Sequence, residues 1–150
     1  ESLQFEGKDF ILNRYYKPFP RLKLGKSLIN LASSALDISD GLIGDLSHIC
    51  KNSGVGARIY QSKIPISSAF SNLLETKPEY NHLSWAGGDD YELLFTVPPE
   101  NEKSLANLPK CQYHDITKIG EIIAEQKIVL LDERQTEITT DKKGYRHFED

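Results

Sequence analysis

The run Asp37-Ile38-Ser39-Asp40-Gly41 limits what this chain can fold into more than any other feature. It holds two carboxylates, a hydroxyl between them and a glycine after them, which is poor material for a core. The chain must therefore turn here. Upstream, Ser34 to Ile38 reads as a strand. Downstream, Leu42, Ile43, Leu46, Ile49 and Cys50 recur at helical spacing, and Gly54 is a fitting left-handed terminator. A second acidic cluster, Gly87-Gly88-Asp89-Asp90-Tyr91-Glu92, leads into the apolar run Leu93–Val97.

The rest of the chain alternates between the two periodicities. Residues 8–16 read as a short helix that Lys17-Pro18-Phe19-Pro20 stops, because proline lacks an N–H and restrains its neighbour. Leu22, Leu24, Leu28, Ile29 and Leu31 predict a second helix over 21–31. Ala57–Tyr60 is a short strand. A helix is predicted near Ser68–Glu75, with Ser67 or Ser68 as its N-cap. Tyr91–Val97 is the clearest strand, rich in β-branched and aromatic residues, and Pro98-Pro99 ends it. A helix over 101–108 and strands near 113–118, 119–123 and 128–131 follow, with Asp132–Gln135 as a hairpin turn. Helices and strands are mixed and hairpins come late, so the fold class is α/β or α+β with a mixed sheet.

Bulk properties exclude several functions. A chain of 150 residues with 39% hydrophobic and 27% charged residues is large enough for a real core and ordinary for a globular protein. Its net charge of -4 argues against nucleic acid as the main partner. No apolar run approaches the roughly 18 residues that span a bilayer, and the first residues lack the pattern of a signal peptide. Cys50 and Cys111 form no metal-binding pair, which suits free thiols in the cytoplasm. The absence of methionine, including at position 1, suggests a fragment.

The acidic turn suits magnesium, which prefers a few carboxylates plus water and phosphate oxygens. Asp37 at a strand end and Asp40 at a helix start could reach one ion; Ser39 could donate to a phosphate; the helix N-terminus favours anions. The alternative is a capping Ser39 or Asp40 beside a solvated Asp37. In the second cluster, two glycines and three carboxylates suggest a ligand loop, against a plain hairpin loop with solvated acids. Arg14, Lys17, Arg21, Lys23 and Lys26 read either as a solvated helix face or as a cationic rim near a polyphosphate. His48 reads as a surface residue. Trp85 and Tyr145 could stack on a flat ring or pack against protein. No P-loop, nucleophile elbow or zinc spacing occurs.

Four blocks in register resemble thiamine-monophosphate kinases: Ala35–Leu46; Ser53–Ile59 with Ile64–Ser67; Gly87–Pro98; and Lys143–Phe148. The resemblance covers the C-terminal half of that family and implies a PurM-like C-terminal domain, layered α/β/α with a mixed sheet. On this reading residues 1–150 form that domain, with 1–20 leading in from an N-terminal domain that carries further ATP and magnesium ligands. It implies ATP-dependent phosphorylation of thiamine phosphate to thiamine diphosphate by direct in-line transfer, in a cytoplasmic homodimer paired through the N-terminal domains. By position, Asp37 and Asp40 would bind magnesium and Ser39 would touch ATP. Asp89 would contact thiamine phosphate where the family usually has glutamate, and Tyr145 would lie against the substrate's ring system. No protein nucleophile is needed, because phosphoryl transfer asks for positioning and charge neutralisation. The fragment alone is expected to be inactive. Two alternatives are another ATP-dependent enzyme of the same superfamily with a different acceptor, and a non-catalytic pairing module.

Overall fold

A computed structural model describes residues 4–108 and 115–139. Helix α1 (Lys8–Tyr16) forms where expected, and the proline-bracketed segment ends it at Lys17. Helix α2 covers only Leu22–Ser27, short of the predicted Leu31. Beyond it the N–H groups of Leu31 and Ala32 both turn back to the Leu28 carbonyl, and Asn30 takes a φ of 67. A left-handed residue cannot continue a right-handed helix, and asparagine adopts that conformation more readily than most.

Strand β1 (Ser34–Asp37) pairs antiparallel with β3 (Leu93–Thr96), placing Asp37 opposite Leu93 in a two-stranded sheet. The regular part of β3 is shorter than the predicted 91–97, because Tyr91 sits at φ 52 and interrupts the pleat. Helix α3 (Leu42–Ser53) follows the acidic turn, buries the five apolar positions predicted for it, and ends at Gly54 in the left-handed region. Strand β2 (Gly56–Tyr60) then enters a three-stranded sheet of order β4-β2-β5, with β4 at Gly120–Ile123 and β5 at Ile128–Leu131. Its neighbours run in opposite senses, antiparallel for β4 and parallel for β5, so the sheet is mixed as expected.

Helix α4 (Ser68–Thr76) is capped by Ser67, whose hydroxyl accepts the Phe70 N–H at 3.1 Å. Helix α5 (Leu83–Ala86) is one turn long and carries Trp85 into the core. Helix α6 spans Glu102–Leu105, with the preceding turn Pro99–Asn101 wound more tightly. Residues 115–118 are not strand, and Tyr113 and His114 lie outside the described residues. The 132–135 turn closes as predicted: Asp132 Oδ1 accepts the N–H groups of Arg134 and Thr136, each at 2.8 Å, and Leu131 bridges Glu137.

The core gathers Leu42, Ile43, Leu46 and Ile49 of α3 against Ala57 and Ile59 of β2, Leu130 of β5, Leu94 of β3 and Trp85. Each large aliphatic side chain buried this way contributes about 1.5–3 kcal/mol. Among the described residues no helix is long and apolar enough to cross a membrane. The acidic turn is thus the loop between a strand of one sheet and the helix that covers the other.

Candidate functional site

Asp37 is exposed, while Ser39 and Asp40 are half-buried. The turn is shaped by a residue that the sequence reading did not single out as functional. Asp45, in the first turn of α3, is only 4% exposed, and its Oδ2 accepts the backbone N–H groups of Ser39 at 2.9 Å and Asp40 at 3.0 Å. The amides of the turn are therefore engaged, which leaves the hydroxyl as the group Ser39 can offer a phosphate. At helical spacing from the exposed His48, Asp45 reads as a side chain that faces water. Only its place among Leu42, Ile43, Leu46 and Ile49, all buried, signalled otherwise.

The second acidic cluster lies directly against the first. The Asp89 N–H donates to the Ser39 carbonyl at 2.9 Å, the Tyr91 N–H to the Ile38 carbonyl at 2.8 Å, and the Ile38 N–H to the Glu92 carbonyl at 2.9 Å. This strap extends the β1–β3 ladder past its regular end. It requires glycine where backbones touch. Gly41 has φ 104, and a Cβ there would lie 3.0 Å from the Ala86 carbonyl carbon and oxygen. A Cβ on Gly88 would press into the Ser39 carbonyl oxygen. The backbones therefore approach tightly at Gly41 and Gly88, and Trp85 is packing, at 8% exposure, rather than a stacking surface.

Within the loop the acids differ. Asp89 takes φ 64, and its Oδ1 accepts the exposed Tyr91 hydroxyl at 3.2 Å. That contact raises the Tyr91 pKa, first through the hydrogen bond and then through the Asp89 charge. The Asp90 carboxyl is pushed from 3.8 up to about 6, first by desolvation, then by the Glu92 charge and, after an opposing effect of Arg14, by Asp89. Asp90 keeps an exposed edge, so water screens the desolvation and the acidic neighbours are the firmer cause.

Glu92 is not a free ligand. Its Oε1 accepts Arg14 Nη2 at 2.7 Å and Arg21 Nη2 at 2.5 Å, and its Oε2 accepts Arg21 Nε at 2.7 Å. The Arg21 guanidinium is raised above its ordinary pKa, chiefly by the hydrogen bond to Glu92. The basic stretch is therefore neither a plain solvated face nor a complete cationic rim: two of its members neutralise an acid of the loop. Cys50 is a buried thiol whose pKa rises with desolvation, in keeping with a packing role.

Asp37, Ser39, Asp40 and Asp89 thus lie on two backbone segments that touch where β1 ends and β3 begins. Tyr145 lies outside the described residues. Among the described residues no three His, Cys, Asp or Glu side chains group closely enough to hold a metal ion. Asp37 and Asp40 supply hard oxygen donors of the type magnesium takes, but only two of them.

Residues 17–133 match the model of the family described as AIR synthase related protein, C-terminal domain. The thiamine-monophosphate kinase of Escherichia coli (strain K12) is 42% identical over 142 residues, covering 93% of this chain and 43% of the relative. That of Buchnera aphidicola subsp. Schizaphis graminum is 39% identical over the same length and coverage. The chain thus spans less than half the length of these relatives. Among solved structures, thiamine-monophosphate kinase from Stenotrophomonas maltophilia K279a superimposes with a TM-score of 0.77 at 33% identity, over 87% of this chain and 41% of that one. AaThiL complexed with AMPPCP and TMP does so with a TM-score of 0.77 at 26% identity, over 99% of this chain and 44% of that one.

Proposed function

The chain belongs to the AIR synthase related protein family by its C-terminal domain, and on that premise we propose that it is part of an ATP-dependent thiamine-phosphate kinase, making thiamine diphosphate by in-line transfer. The observation that carries the reading is the backbone strap between the two acidic segments. It sets Ser39, proposed to meet ATP, one hydrogen bond from Asp89, proposed to meet thiamine phosphate. Direct transfer needs donor and acceptor side by side, and positions them more than it assists them covalently.

In this reading Asp37 and Asp40 hold magnesium, which when bound neutralises phosphate oxygens. The remaining ligands come from the phosphates and from a preceding N-terminal domain, through which the enzyme pairs as a cytoplasmic homodimer. Residues 1–20 lead in from that domain, and residues 1–150 alone do not turn over. Asp89 keeps the charge of the family's glutamate on a shorter arm, and Tyr145, outside the described residues, is proposed to meet the substrate's ring.

The test is ADP release by the full-length protein with ATP, magnesium and thiamine phosphate. Turnover should require all three and fall at least about 100-fold in Asp37→Asn and Asp40→Asn, the scale of losing a charge-stabilising group. ATP turnover indifferent to thiamine phosphate, or an undiminished rate in both variants, would overturn the proposal.

A further inference from the structure

We propose that Asp45 is a positioning residue that holds the Asp37–Asp40 turn in its metal-competent shape before any metal binds; this rests on the kinase reading above. A carboxylate exposed by only 4% is costly unless its charge is met. No ion pair among the described residues includes Asp45. Its charge is met by the Ser39 and Asp40 amides, both on one oxygen, and by its place in the first turn of α3.

The reach of these bonds separates the role from helix capping. A capping acid closes the helix by bonding the N-cap N–H. Here the N-cap is Gly41, and Asp45 reaches past it to the two residues before. What it fixes is the backbone that carries the acids. A turn free to move would let the backbone that carries Asp37 and Asp40 spread. Amides tied to a packed helix resist that spreading. Carboxylates that orient metal-binding groups from behind are typically worth 10–100-fold in metal affinity.

The experiment uses full-length protein, wild type and Asp45→Asn, and titrates magnesium in the presence of AMPPCP by calorimetry. Asparagine keeps the shape and one acceptor but removes the charge. Magnesium affinity should fall about 10-fold or more, while the KM for thiamine phosphate changes less than about twofold and excess magnesium restores the rate. An unchanged magnesium affinity, or equal damage to both substrates that excess magnesium does not repair, would overturn the role of Asp45. Failure of wild-type turnover with thiamine phosphate, with nucleotide binding intact, would overturn the kinase reading and leave the affinity comparison standing. Absence of magnesium-dependent nucleotide binding in the wild type would overturn both. Should Asp45→Asn not fold, amide exchange of the wild type without magnesium decides: slow exchange at Ser39 and Asp40 supports the proposal, and exchange as fast as an open loop defeats it.

Discussion

Asp45 and Glu92 are both acids among apolar neighbours, one beneath the first acidic segment and one at the end of the second, and the chain satisfies them by opposite means. Asp45 is 4% exposed and takes two backbone amides only five and six residues away. The Glu92 side chain is 43% exposed and takes two guanidinium groups from 71 and 78 residues away. Amides carry no net charge, so the first arrangement leaves the charge of the carboxylate under the turn uncancelled. Two guanidinium groups more than cancel the single charge they bind, so the second spends its acid on fastening α1 and α2 to the loop. The same residue class thus serves electrostatics in one segment and attachment in the other. Which one applies depends on whether the partner is a dipole or an ion.

The largest effect is expected where the two segments touch. Gly88→Ala puts a methyl group against the Ser39 carbonyl oxygen, an overpacking that costs about 1–3 kcal/mol. It should also separate the strap, with at least about a 100-fold loss of kcat/KM when reacting groups are misplaced by an ångström. Steady-state kinetics and thermal unfolding check it. A fully active Gly88→Ala would mean that the two segments need not stay in register.

A smaller effect tests the contrast itself. Glu92→Gln keeps the shape but leaves Arg14 and Arg21 facing each other. Because Glu92 is substantially exposed, screening holds the expected loss to about 1–2 kcal/mol in urea unfolding. Amide exchange should quicken in α1 and α2 and stay unchanged at Ser39 and Asp40. Quickening at all of these would mean that the segments are held jointly.

The smallest effect is a titration. Asp90 has a raised pKa in the folded chain, so the folded form holds its proton more tightly than the unfolded one. Stability from this residue therefore falls as pH rises from 3.8 to about 6, then levels off. The stability difference between wild type and Asp90→Asn should change across that window and be flat above it. Arg14→Met should move the Asp90 midpoint higher, since Arg14 works to lower it; carbon-detected NMR titration reads both. A midpoint unmoved by Arg14→Met would mean that Arg14 does not influence the charge of the loop.

Much of this was legible from local pattern. The strand, acidic turn and helix from Ser34 to Ser53, the left-handed Gly54 and the Ser67 cap each follow from neighbouring residues, and the structure has them there. The pairing of Arg14 and Arg21 with Glu92 was not legible, because no short-range pattern links residues so far apart. Nor was the shortening of α2 at Asn30, where a single left-handed residue outweighed an apolar spacing that continued to Leu31. Asp45 was hidden for another reason. An acid at helical spacing from an exposed histidine looks solvated, and only the packed sheet beneath α3 reveals which way that part of the helix faces. The family resemblance supplied roles for Asp37, Ser39, Asp40 and Asp89, whereas the geometry supplied the contacts that bring them together.

The mixed sheet sets an order of events during synthesis. Strand β2 lies at the centre, and its parallel neighbour β5 is the last strand among the described residues. While the ribosome is still adding residues before Ile128, Ala57 and Ile59 have been made but lack the strand that covers one of their edges. Helix α3 rests on that unfinished surface. The acidic turn is therefore written before its support: Asp45 and its amides are neighbours from the start, yet the core on which α3 packs takes in Leu130 only later. Pairing across so long a stretch of chain is slow to form, so the interval is one in which an unsatisfied sheet edge and a half-covered helix stand open to other chains.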